Sequence, residues 1–232
     1  MPEPIRALIV VPENNTTMQP EMAALCPQLA PIPVARVARP ARTLLREDLP
    51  AYTEATLAAV EPFTADRLDL VFYGCTAAGF LAGPDGNAAM VATLRARTGA
   101  TVVSTAGAMV EALRSDGVAS AAVVTPYLPP VNDGLRHYLE ASGIRVETLD
   151  SFLCKTTDEL GRITEQRVFD LALRTVTPRS EALFIACSQL PTIGILDELR
   201  ARLRIPVWSS IRATAWAGTR ALAERTPSIH AA

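Results

Sequence analysis

Short apolar, β-branched runs alternate along this chain with amphipathic stretches, and this alternation limits the fold more than any other feature. The runs cover residues 5–11, 33–37, 68–74, 101–104, 119–125, 145–149, 182–187 and 206–209. Several lack polar alternation, the pattern of strands covered on both faces. Helical periodicity falls at 52–60, 87–97, 106–115, 131–141, 165–175, 192–202 and 211–224. Strand–helix alternation of this kind predicts an α/β fold with parallel sheets and right-handed crossovers. The Gly83-Pro84-Asp85-Gly86-Asn87 stretch reads as a tight loop, and residues 126–130 as a proline-rich turn.

The second half of the chain echoes the first. Leu8-Ile9-Val10-Val11-Pro12 is matched by Ala122-Val123-Val124-Thr125-Pro126. Phe72-Tyr73-Gly74-Cys75-Thr76 is matched by Phe184-Ile185-Ala186-Cys187-Ser188, and Val103-Ser104-Thr105 by Trp208-Ser209-Ser210. Three matches in one order predict a duplicated unit, hence two pseudo-symmetric lobes of about four parallel strands each around a cleft. The expected division gives residues 1–105 plus a C-terminal helix at 211–232 to lobe one, and 106–210 to lobe two. The lobes interleave as one compact unit.

Composition excludes several functions. With 232 residues, 49% hydrophobic and 20% charged, the chain is long enough for a real core. A net charge of −2 gives no bulk basicity for nucleic acid. No apolar run approaches the ~20 residues of a membrane span. The N-terminal residues lack the pattern of a signal peptide, so a cytoplasmic protein is expected. Lys155 is the one lysine, and His137 and His230 are the two histidines. That scarcity argues against a histidine-rich metal site, and a Ser-His-Asp triad would rest on His137. Metal, nucleotide and phosphate-loop motifs are absent, so no metal or cofactor is expected.

Four cysteines remain: Cys26, Cys75, Cys154 and Cys187. Cys26 and Cys154 read as buried apolar fillers. Cys75 and Cys187 differ, because each closes an apolar strand in its own copy of the duplicated unit. Ligands in open α/β sheets bind outside the carboxyl ends of strands. A following helix N-terminus would favour a thiolate there. Thr76 and Ser188 add a hydroxyl beside each thiol.

The stretch Pro12-Glu13-Asn14-Asn15-Thr16-Thr17-Met18-Gln19-Pro20-Glu21, together with Gly74-Cys75-Thr76, Thr125-Pro126-Tyr127 and Ala186-Cys187-Ser188, resembles the aspartate/glutamate racemase superfamily. Within it the chain resembles the maleate cis–trans isomerases, whose signature reads Pro-x-x-Asn-Thr-Thr-x-x-Pro-Glu. The likeness runs from about Ile5 to Trp216. It implies a nucleophilic cysteine at Cys75, a second active-site cysteine at Cys187, and substrate binding by Asn15 and Tyr127. A further asparagine of the pattern falls on Thr157, a departure that bears on how a second carboxylate is held. Arylmalonate decarboxylases share the architecture but keep only the second cysteine, so the pair in this chain counts against that activity.

The resemblance implies conversion of maleate, or a close cis-dicarboxylate, to fumarate through a covalent cysteine adduct. Thr76, Ser188 and Tyr127 would then stabilise charge on a substrate carboxylate. An amino-acid or hydantoin racemase using the two thiols as acid and base is the alternative. A non-catalytic dicarboxylate-binding protein is a second. A small dicarboxylate partner and a homo-oligomer are expected. Capping of the following helix by Thr16 or Thr17, and loop packing by Tyr127, are the plain structural readings of those residues.

Overall fold

The computed structural model describes residues 4–39 and 43–225. His230 lies outside them. Eight strands form where the apolar runs predict them. Sheet one contains β1 (Ala7–Pro12), β2 (Val34–Val37), β3 (Leu70–Tyr73) and β4 (Thr101–Ser104), in the order β2-β1-β3-β4. Sheet two contains β5 (Ser120–Thr125), β6 (Arg145–Ser151), β7 (Ala182–Ile185) and β8 (Val207–Ser209), in the order β6-β5-β7-β8. Every pairing is parallel. The two orders are the same permutation, as the internal echo predicts. The expected two-lobed α/β class is therefore borne out.

The four inner strands, β1, β3, β5 and β7, are buried along their whole length. That is why they lack polar alternation: each face of the sheet meets helices. In sheet one, Ile9, Val11 and Phe72 face one apolar layer with Met18 and Met22, while Leu8, Val10, Val71 and Tyr73 face another that continues into lobe two. Cys26 sits in the first layer, fully buried, as a filler.

Helices α1 (Met18–Leu25), α2 (Leu49–Val60), α3 (Thr76–Leu81), α4 (Gly83–Thr98) and α5 (Thr105–Ser115) belong to the first half of the chain. The second half holds α6 (Pro129–Ala141), α7 (Thr157–Gly161), α8 (Glu165–Thr175), α9 (Leu196–Leu203) and α10 (Ser210–Arg225). The Gly83–Asn87 stretch is not a loop. It is the first turn of α4, because Gly83 adopts φ +75° to redirect the chain and Pro84 suits the first helical turn. His137 is exposed on α6. Among the described residues no helix is long and apolar enough to cross a membrane.

Helices α5 and α10 occupy equivalent places after β4 and β8, and they pack on each other between the lobes. The Thr214 hydroxyl donates to that of Thr105 at 3.2 Å. Helix α10 also lies on β3, where Gly218 allows close approach to Phe72; a Cβ would come within 2.8 Å of its ring. In return α5 touches β8. On this exchange we propose the lobe boundaries expected from the sequence, with α10 assigned to lobe one.

Gly74, the residue before Cys75, is fixed by crowding. A Cβ there would meet the Met18 sulfur and lie 2.7 Å from Val11 Cγ1 and 3.0 Å from the Val10 carbonyl oxygen. Gly74→Ala is expected to cost about 1–3 kcal/mol of stability by overpacking, read from chemical denaturation. It should also change the alkylation rate of Cys75. An unchanged midpoint and rate would show that Met18 simply moves aside.

Candidate active site

The two strand-end cysteines line one cavity at the carboxyl ends of both sheets. Its volume is about 600 Å³, including the open mouth. Cys75 follows β3 and heads α3, as the sequence predicts. Cys187 follows β7 differently. No helix begins there; a turn-rich segment leads to α9 at Leu196. The expected helix N-terminus therefore exists for Cys75 alone.

Cys187 is held in another way. Its φ of +152° is strained for a residue with a Cβ. Its N–H donates to the Ser210 hydroxyl at 2.9 Å, and its sulfur accepts the Gln189 N–H at 3.4 Å. Burial pushes the Cys187 thiol up, against the pull of the Gln189 N–H and the Tyr127 hydroxyl. The helix N-terminus expected to favour a thiolate is absent here, and burial disfavours the charged form of Cys187.

Tyr127 is buried and its hydroxyl meets the Cys187 sulfur. Burial, with both cysteines nearby, raises its phenol well above the usual tyrosine value, so it remains a hydrogen-bond donor. Its ring packs edge-on against Phe80 of α3, with centroids 5.5 Å apart. Its carbonyl accepts from Asn132 Nδ2 at 2.9 Å and from the Ser151 hydroxyl. Packing and chemistry thus meet in one residue.

Asn15 also lines the cavity, but its amide is engaged elsewhere. Nδ2 donates to the Ser188 carbonyl and hydroxyl oxygens, both at 3.1 Å. Oδ1 accepts the N–H groups of Thr17 and Met18, capping α1. The cap is Asn15, and neither Thr16 nor Thr17. Thr16 and Thr17 reach across the lobes: the Thr16 N–H and hydroxyl bond the Gln189 side chain, and the Thr17 hydroxyl donates to the Gln189 carbonyl.

The hydroxyls beside the two thiols differ. Ser188 donates to the Gly74 carbonyl at 2.6 Å, across the lobes. Thr76 is buried and its hydroxyl has no partner. Thr157 opens α7 and lines the cavity, half-buried. All seven residues singled out from the sequence come together here.

Others also reach the site. Asn14 brings a buried oxygen with no partner, next to the residue the motif emphasised. Gln189 follows Ser188 directly. Tyr52 of α2 stands beside the Cys75 sulfur, behind the cavity. Arg39 lines the mouth, and nothing in the sequence separates it from the other arginines. Cys154 lines the cavity too. Burial pushes its thiol up to about 11, so it fills space without nucleophilic character. Among the described residues, no three His, Cys, Asp or Glu side chains gather within metal-binding reach.

Paired strand-end thiols with hydroxyl donors between two lobes define a two-cysteine α/β enzyme with a small-molecule cavity. The family model described as arylmalonate decarboxylase matches residues 8–230, and the chain belongs to that family. It is similar to the maleate isomerase of Geobacillus stearothermophilus, 26% identical over 228 residues, covering 93% of this chain and 91% of that one. It is 29% identical over 222 residues to the maleate isomerase of Nocardia farcinica (strain IFM 10152), covering 92% and 88%. A solved Nocardia farcinica maleate cis–trans isomerase, a cysteine-to-serine variant with a covalently bound succinylcysteine intermediate, superposes with a TM-score of 0.84. The two are 26% identical, over 94% of this chain and 93% of that one. The resemblance read from the sequence holds, and the chain is an enzyme of the isomerase kind.

Glu21 gives a test of how the lobes are held. Its carboxylate accepts from the N–H groups of Thr192 (2.6 Å) and Ile193 (3.2 Å) and from the Thr192 hydroxyl. Burial raises its carboxyl above the usual value. Folding therefore favours the protonated form, and the stability tied to that proton is lost as pH rises through the folded value. Glu21→Gln keeps an acceptor and cannot ionise. Its stability relative to the unaltered protein should increase as pH rises above the ordinary glutamate value of about 4.3, measured by urea unfolding. A difference that does not change with pH would defeat this account.

Proposed function

We propose that this enzyme converts maleate, or a close cis-dicarboxylate, to fumarate through a covalent adduct on Cys75. The observation that carries the reading is the meeting of two differently held thiols in one cavity, Cys75 at the head of α3 and Cys187 bonded by the Gln189 N–H and by Tyr127. Rotation about the double bond requires its π character to be removed for a time. The Cys75 thiolate adds to one vinyl carbon, forming a C–S bond. The π electron pair moves toward the adjacent carboxylate. The former double bond is now single and turns. The electron pair then returns, the C–S bond breaks, and fumarate and the thiolate are released. Cys187 can lend its proton to the carbanionic carbon and take it back.

Charge developing on the carboxylate falls to neutral donors. Thr76 offers an unpartnered hydroxyl, and Tyr127 a phenol that stays protonated. Asn15 supports the site by fixing Ser188, and through it the backbone at Gly74 before Cys75. The succinylcysteine of the Nocardia relative is what addition of a thiol across maleate leaves, and it favours this reading. A cytoplasmic location and a homo-oligomer belong to the same proposal; gel filtration tests the second.

Incubation with maleate should give fumarate by proton NMR, with no racemisation of aspartate, glutamate or hydantoins. Racemisation without fumarate would transfer the two thiols to acid–base duty. Cys75→Ser should abolish turnover. Cys187→Ser should turn over poorly and gain the mass of one maleate on Cys75 after a substrate quench. Full activity in Cys75→Ser would reassign the nucleophile.

Tyr127→Phe keeps the ring against Phe80 and removes only the hydroxyl. Its kcat/KM should fall at least about tenfold, or ~1.4 kcal/mol. An unchanged value would reduce Tyr127 to packing.

A further inference from the structure

Resting on the dicarboxylate reading, we propose that Arg39 receives the second carboxylate of the substrate and makes the site selective for dianions. Arg39 follows β2 and lines the mouth of the cavity, half-buried. Among the described residues lining that cavity it is the one charged side chain; the rest are neutral hydroxyls, amides, thiols and apolar groups. Its positive charge acts weakly on Tyr127, Cys187 and Tyr52, which places it within electrostatic reach of the groups beside both thiols. The nearby Arg36 donates to the carbonyls of Glu13 (3.1 Å) and Asn15 (2.9 Å), bracing the loop between β1 and α1.

The chemistry supports a division of labour. A carboxylate leaving water for a partly enclosed cavity loses hydration, and neutral donors alone replace it incompletely. Two carboxylates on one small molecule double that cost. Thr76 and Tyr127 stand near the thiols and suit the carboxylate on which charge develops. The other carboxylate must have a partner farther out. Thr157, at the start of α7 and lining the same cavity, offers a single neutral hydroxyl. A guanidinium presents a planar fork that matches a carboxylate in two places at once. It also lets that end of the substrate swing while the charge stays neutralised.

Maleate and its monoamide, maleamate, share a skeleton and differ by one charge. Their dissociation constants can be measured by titration calorimetry with Cys75→Ser, where the adduct cannot form. We expect maleate to bind at least about tenfold more tightly than maleamate. Adding Arg39→Gln should erase that preference, weakening maleate roughly 10- to 100-fold with little effect on maleamate. Arg39→Lys should restore part of it. A preference that survives Arg39→Gln, or equal weakening of both ligands, overturns the proposal. Turnover of maleate by the unaltered enzyme is scored separately. Turnover with an undiminished preference defeats the Arg39 assignment alone. Loss of the preference without turnover keeps Arg39 as the anion receptor and defeats the isomerase reading. Absence of both binding and turnover defeats the two together.

Discussion

The site depends on a clasp of hydrogen bonds between the lobes. Residues 15–21 of the first lobe meet residues 188–193 of the second through the Asn15 amide, both threonines and the Glu21 carboxylate. Ser188 completes it by donating to the carbonyl of Gly74. Each thiol is thereby positioned partly by the other lobe. A buried polar network of this kind fixes geometry because every broken member leaves an unpaired group in a low dielectric. Two lobes held by apolar contact alone could slide; directional bonds at the cavity wall prevent it.

Within this symmetric frame the two halves of the site have diverged. Cys75 leads directly into α3, whereas Cys187 sits on a strained turn with its sulfur bonded by a backbone N–H and by Tyr127. The Ser188 hydroxyl is committed to the clasp, while its counterpart Thr76 has an unpartnered hydroxyl. A reaction that adds a nucleophile on one side and manages a proton on the other needs this inequality. An evenly matched pair would suit proton exchange on two faces instead. Small local differences, in where a turn ends and which hydroxyl is already bonded, set the chemistry open to duplicated parts.

All eight strands were legible because burial on both faces imposes uninterrupted apolar runs that survive in the sequence. The helices were legible where amphipathic periodicity is long. They were less so at α3 and α7, which are short, and at Gly83–Asn87, where turn-forming residues open α4. Cys75, Cys187, Thr76, Ser188, Asn15, Tyr127 and Thr157 could be found from duplication and from a recognisable motif. Arg39, Tyr52 and Gln189 carried no comparable signal.

The sequence by itself determined the two parallel sheets, their likeness to each other and the two thiols at matching strand ends. These follow from hydrophobic pattern and repetition, which are local or periodic along the chain. The tertiary structure alone decided which polar groups are already bonded. It turned Asn15 from a free amide into a clasp and a helix cap, gave Cys187 a raised thiol, and brought Arg39 to the cavity mouth. The clasp joins residues 173 apart in the chain, the cap is local to the turn before α1, and the rest follows from burial. No spacing along the chain encodes the loss of water that burial imposes on each group.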